Sequence, residues 1–304
     1  MADQTDKAVP DGLVTLLAMA GFIAVAVAQV TNMILARANA GDVPPFALAC
    51  VRWSVIAAGL APFAFHELKS QWREVWARGW LILAAGFGGM FLCGAPVYMA
   101  GVSTTAINIA LIMALSPIVV LIISWLIGLE KIGRLRLLGL ALALAGALLI
   151  ILRGDTTILS SWSAVEGSLL MLMAMLGWSG YTLLQSRAAP SLPFLGRVSL
   201  FAAVGALLSL PFAIQEAVTE PQRVFTLHAL GLYLFAAIVP GILAYGGFAY
   251  LDGRFGSVRT SLVVYIGPFA SALLSWIILG EPPDLFQIVG GALILAGVWA
   301  SLRK

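Results

Sequence analysis

Charge is scarce in this sequence. Lys, Arg, Asp and Glu make up 10% of its 304 residues, whereas a soluble globular chain carries about 25%, so a fold solvated by a charged surface is excluded. Cysteine is scarcer still. Cys50 and Cys93 both fall inside apolar runs, which leaves neither a disulfide framework nor metal-ligand spacing. The two histidines, His66 and His228, stand at the edges of such runs. Catalytic signatures are missing too: there is no H-E-x-x-H, no G-x-S-x-G, no phosphate-cradling glycine–lysine motif and no mid-run pair of acids. An enzyme acting on lipid or a lipid-linked group would need a nucleophile with its base, or a metal cluster. A non-enzyme without a cofactor is therefore expected.

What is present is hydrocarbon. Apolar residues reach 61% of the chain and the mean hydropathy is +1.02, as expected for a protein folded in a lipid bilayer. The net charge of +3 and the pI near 9.0 arise from basic residues scattered singly through short connections. That pattern speaks for membrane orientation rather than nucleic acid. Ten runs have the length of about 20 residues that crosses hydrocarbon; they lie near 12–34, 45–65, 79–99, 105–128, 135–152, 164–186, 198–214, 228–250, 257–279 and 285–302. Residues 1–11 read as a polar, acidic cytoplasmic tail without the basic start of a secretory signal, so the first run is expected to stay as a membrane helix. With the N-terminus in the cytoplasm, 13 of the 17 basic residues fall on the cytoplasmic side, three (Arg37, Arg153, Arg223) fall outside, and Arg52 lies within a span. This positive-inside bias places both termini in the cytoplasm.

The chain also repeats itself. Pro117–Glu130, PIVVLIISWLIGLE, returns as Pro268–Glu281, PFASALLSWIILGE, and the 151-residue offset extends to Gly139 with Gly290 and Gly146 with Gly297. Eleven identities fall in the 35 pairs that begin at Ser116. The division is a first five-helix repeat at 12–152, an external linker at 153–163 and a second repeat at 164–304. An odd number of crossings per half starts the second half on the opposite side of the membrane, so the repeats are inverted. Inverted repeats permit two exchangeable conformations about a site near the bilayer midplane.

The five-helix halves, the proline-to-glutamate span followed by a glycine-bearing helix, Arg52 in the second span, and MLGWSGYTLLQSR opening the second half resemble EamA-type members of the drug/metabolite transporter superfamily. The resemblance covers nearly the whole chain. It implies a ten-helix secondary transporter, often a metabolite or amino-acid exporter, and within the family the chain looks most like the YddG-type aromatic amino-acid exporters.

The candidate site residues follow from polar or helix-breaking groups placed in lipid. Pro117 and Pro268 remove a backbone donor inside a span and are expected to shape a gate or cavity wall, or to adjust packing. Their terminal partners Glu130 and Glu281 are expected to be solvated helix ends rather than proton carriers. The ninth span carries Ser257, Thr260, Ser261, Tyr265, Ser271 and Ser275 at helical spacing. That stripe should face a cavity or tie helices together; Tyr265 and Ser261 are its ligand candidates. Trp178 and Tyr181 lie mid-span with Gln185 on one face, suited to an aromatic or amphipathic solute. PGILAYGGFAY around Pro240 and Tyr245 has its counterpart in GFGGMFLCGAPVYMAG with Pro96 and Tyr98, and interrupted spans at corresponding positions point to a binding site. Glycine also simply allows close packing, which is the reading for Gly139, Gly146, Gly290 and Gly297. Arg52 either meets a carboxylate or partner in the span, or snorkels about 10 Å to the outer interface. Asn32 and Asn108 bind substrate or join helices.

No Asp, Glu, His or Lys stands at the middle of a span, so the expected substrate is neutral, zwitterionic or anionic. The whole reads as an all-α integral membrane protein of a bacterial inner membrane that exports small molecules, with aromatic or apolar amino acids first. Other solutes (nucleosides, sugars, drugs), a non-transporting receptor and a lipid-acting enzyme are the alternatives. The bilayer and a small-molecule substrate are the implied partners, nucleic acid is not, and a monomer is compatible with the sequence.

Overall fold

A computed structural model describes residues 11–63, 65–128, 133–152, 162–255 and 263–302. Residues 1–10 of the acidic tail, residues 153–161 of the expected 153–163 linker, Glu130, Ser257, Thr260 and Ser261 lie outside these residues, as does the side chain of Tyr265; Asp11 and residues 162–163 belong to helices instead.

The chain is helical throughout the described residues. Its apolar helices are α1 (Asp11–Asn39), α2 (Pro45–Leu60), α3 (Gly79–Ser103), α4 (Ala106–Leu126), α5 (Arg134–Leu152), α6 (Trp162–Ala188), α7 (Phe194–Thr219), α8 (Leu227–Phe255), α9 (Val263–Leu274, continuing into a π segment at Ser275–Leu279) and α10 (Leu285–Leu302). Eight of them contain a stretch long and apolar enough to cross a bilayer, and α9 and α10 are the two shorter apolar helices. Helix is the expected answer here, because lipid offers no partner to an open backbone amide.

The helix ends are closed by side chains. Thr105 accepts from the Asn108 amide at the start of α4, and Thr226 accepts from the Ala229 amide at the start of α8. Asp284 and Gln287 exchange hydrogen bonds of 2.7 and 2.9 Å as a capping box ahead of α10. Glu216, near the end of α7, accepts from the Phe46 and Ala47 amides and so caps α2 from a distance. Glu281, expected to be a solvated end, instead pairs with Arg37 at 2.7 Å.

Contacts between helices repeat when the two halves are exchanged. The pairing of α1 with α8 and α9 is matched by that of α6 with α3 and α4, and α2–α7 and α5–α10 are their own counterparts. The α5–α10 seam shows the sense of the operation. A Cβ on Gly139 would stand 2.5 Å from the Gly297 carbonyl oxygen, and one on Gly146 would stand 2.5 Å from that of Gly290. Position 139 thus faces 297 while 146 faces 290, an antiparallel crossing of equivalent helices, as inversion requires. Only glycine permits so close an approach.

Two further interruptions obey the same offset. A π segment at Phe87–Phe91 divides α3 and another at Ile238–Leu243 divides α8, their starts 151 residues apart. Pro240 supplies no amide to an α-helical bond in the second. In the first, Gly88 lies against the Gly177 backbone and Gly89 against the Tyr181 ring.

Candidate functional site

The interrupted helices converge on a cavity of about 430 Å³ between the halves, within the range of small-molecule sites. Helices of both repeats line it: α1 through α4 from the first, and α6, α8 and α9 from the second. The α5–α10 pair stands outside it.

Arg52 is the cavity's cation. The residue is 4% exposed, so it does not snorkel to an interface. Its guanidinium carbon lies 4.4 Å from the Trp53 ring centroid, within cation–π range. Its Nη1 donates to the Tyr98 hydroxyl at 3.3 Å, and that hydroxyl donates to Asn32 Oδ1 at 3.0 Å. Among the described residues Arg52 Nε has no hydrogen-bond partner. Among the described residues that line the cavity, none is Asp or Glu.

Asn32, Arg52, Trp178 and Tyr245 all reach the cavity wall, together with Pro117, Pro240 and Pro268. Trp178 is held at 5.0 Å, centroid to centroid, from Tyr181, which in turn meets Phe201 edge-on at 5.7 Å. Tyr181 is therefore buried behind Trp178 rather than on the wall. Tyr98 likewise supports the wall from behind, connecting α3 to α2 and α1. Pro96 is buried in the first turn of the helix that resumes after the α3 interruption.

Asn108 lies elsewhere. Its Nδ2 donates to Thr104 and its Oδ1 accepts from Gln287 Nε2 at 2.9 Å, while the same nitrogen donates to Thr105. It ties α4 to α10. Of the α9 stripe, Ser271 donates to the Ala106 carbonyl and Ser275 is fully buried. These two serve the helix interface.

The cavity residues that escaped the reading of the sequence include Gln29, Trp53, Cys93 and Thr182. Gln29 was within reach, since it precedes Asn32 by three positions and shares its face. Thr182 follows Trp178 by four on the same argument. Cys93, whose thiol donates to the Ala174 carbonyl at 3.0 Å, had no signal beyond its small size.

The arrangement offers a fixed cation, a nearby amide and aromatic walls to a ligand with an anionic or polar head and an apolar body.

Comparison with known proteins agrees with this architecture. The EamA-like transporter family profile matches residues 16–152 and again 165–303. An uncharacterized transporter of Archaeoglobus fulgidus is 25% identical over 278 residues, covering 90% of this chain and 93% of the relative. A probable amino-acid metabolite efflux pump of Salmonella typhimurium is 23% identical over 293 residues, covering 93% and 94%. A protein of known crystal structure superposes with a TM-score of 0.59 at 22% identity, covering 95% of this chain and 96% of its own. The two profile matches fall one on each five-helix half, and with them the chain belongs to the EamA-like transporter family of the drug/metabolite transporter superfamily.

Proposed function

We propose that the protein is a secondary transporter that exports small metabolites, aromatic or other apolar amino acids foremost, by alternating access to the central cavity. The observation that carries this reading is the position of the cavity. It lies between inverted halves and is walled by α3 and α8, the two helices interrupted by π segments at equivalent positions. Such breaks can absorb the bending by which one half rocks against the other. In this scheme Asn32, Arg52, Trp178 and Tyr245 contact the substrate. Tyr98 and Tyr181 hold those contacts in place, while Pro96, Pro117, Pro240 and Pro268 shape or hinge the wall. Tyr265 and Ser261 are assigned to the substrate path on their sequence positions, and Asn108 to the frame.

The excess of basic residues on one side supports the assignment of both termini to the cytoplasm; a bacterial inner membrane is the proposed location, with the repeats at 12–152 and 164–304 joined by an external linker at 153–163. The name of the Salmonella relative favours amino-acid metabolites as cargo. Counterflow in proteoliposomes containing the purified protein, run with labelled aromatic, aliphatic and charged amino acids and with nucleosides, tests the assignment. Saturable exchange of the aromatic and apolar amino acids is expected. Exchange confined to nucleosides would remove the amino-acid reading, and exchange confined to charged amino acids would remove the aromatic and apolar preference.

A further inference from the structure

The buried guanidinium of Arg52 is an electrostatic problem that the described residues leave unsolved. A cation held away from water needs an opposite charge or a full set of acceptors. Arg52 has one neutral acceptor at 3.3 Å, the Tyr98 hydroxyl, and the face of Trp53. Among the described residues its Nε is without a partner. Arg37, Arg78 and Arg223 each pair with a carboxylate, whereas no carboxylate of the described residues reaches Arg52.

The neighbouring hydrogen bonds point the same way. Arginine can only donate, so the Tyr98 hydroxyl accepts from it and sends its own proton to Asn32 Oδ1. With that oxygen engaged, Asn32 has its Nδ2 hydrogens left to offer to the cavity it lines. The polar end of the site therefore presents a cation and an amide donor side by side. A carboxylate matches both, since its oxygens accept from a guanidinium and a neighbouring N–H together. An ammonium finds no carboxylate on the described wall, and a position beside Arg52 repels it.

We propose that the site recognises its substrate through a carboxylate bound by Arg52 and Asn32 and an apolar body held against Trp178 and Tyr245, without using an α-ammonium group. Arylalkyl carboxylic acids, including 2-oxo and 2-hydroxy acids, are then ligands as good as or better than the corresponding amino acids. The inference rests on the reading of the cavity as the transport site, and it predicts a substrate range that the amino-acid assignment alone does not.

The test is a ligand series on the full chain in nanodiscs: phenylalanine, 3-phenylpropionate, phenylpyruvate, phenylalaninamide and phenethylamine. Binding is read from tryptophan fluorescence, to which Trp53 and Trp178 in the wall contribute, and flux from competition in proteoliposomes. The two acids are expected to bind at least as tightly as phenylalanine, and the amide and the amine about tenfold or more weakly, as loss of a charge-assisted hydrogen bond implies. Arg52→Gln is expected to abolish the preference for acid over amide, and Arg52→Lys to keep part of it. The wild-type series decides the matter even where a variant fails to fold.

Equal binding of acid and amine, retention of the acid preference in Arg52→Gln, or no binding by any member would overturn the inference. Flux of phenylalanine without any acid preference would overturn it while leaving the transport reading intact. Binding of the acids with flux of no member would do the reverse.

Discussion

Arg37 Nε donates to Glu281 Oε1 across 2.7 Å, joining the end of α1 in the first repeat to the end of α9 in the second. The same guanidinium donates from Nη1 to the Gly101 carbonyl at the end of α3, at 3.0 Å. One side chain thus gathers three helices that line the cavity, all on the side assigned to the exterior. A rocking motion that opened this side would have to separate α1 from α9, and so would break the pair.

The first prediction is that Arg37→Ala and Glu281→Gln each loosen this closure. A partly exposed pair of this kind is worth up to about 1 kcal/mol, or roughly a fivefold shift in population. Hydrogen exchange measured by mass spectrometry should rise in peptides covering the ends of α1 and α9, and the charge-reversed double variant Arg37→Glu/Glu281→Arg should restore it. Unchanged exchange in the single variants would deny the pair this role.

A second prediction concerns the frame. A methyl group on Gly139 would stand 2.5 Å from the Gly297 carbonyl oxygen and 2.8 Å from the Ser301 amide nitrogen. Backbone cannot yield as a flexible side chain would, so Gly139→Ala must push α5 and α10 apart. Overpacking of this kind costs about 1–3 kcal/mol. The expected result is a lower melting temperature in detergent with the order of substrate preference unchanged, because neither helix reaches the cavity. A change in substrate order at unaltered stability would contradict the division into frame and site.

Tyr98→Phe is the third. It removes the hydroxyl that joins Arg52 to Asn32 while keeping the ring in its buried place. Loss of a hydrogen bond to a charged group is worth about 1.5–3 kcal/mol, so substrate affinity should fall by about tenfold or more with expression and folding retained. Affinity equal to that of the unaltered protein would show that the relay does not position Arg52.

The uneven legibility of the sequence has physical reasons. The glycines of α5 and α10 could be read because a repeat makes the same demand twice. Gly139 and Gly146 meet Gly297 and Gly290, the members of the opposite pair. Arg52, Asn32 and Tyr98 each stood out as polar groups in lipid, yet their convergence depends on how α1, α2 and α3 pack, and no spacing along the chain encodes that. Asn108 stood out for the same reason and proved to face α10. Its partner Gln287 carried no such mark, because it stands in the first turn of α10, where the structure joins it to Asp284 in a capping box. Glycine and proline marked where α3 and α8 are interrupted, but the π register at Phe87–Phe91 and Ile238–Leu243 also reflects tertiary contacts, such as Gly88 on Gly177 and Gly241 against Ile56.

The fourth prediction uses the α3 interruption to separate shape from chemistry. A Cβ on Gly89 would lie 2.6 Å from Cγ of Tyr181, and Tyr181 in turn fixes Trp178, with ring centroids 5.0 Å apart. Gly89→Ala should therefore displace Tyr181 and carry the Trp178 ring out of position, although Gly89 itself offers no side chain to a ligand. Aromatic substrates should lose more affinity than aliphatic ones, because the aromatic wall contributes about 0.5–1.5 kcal/mol through ring geometry beyond area burial. Adding Tyr181→Leu to Gly89→Ala removes the ring that the new methyl group strikes, so the double variant should recover part of the stability lost in the single one without regaining the aromatic preference. Two additive losses of stability would mean that Gly89 and Tyr181 act independently, and that Trp178 is held by other neighbours.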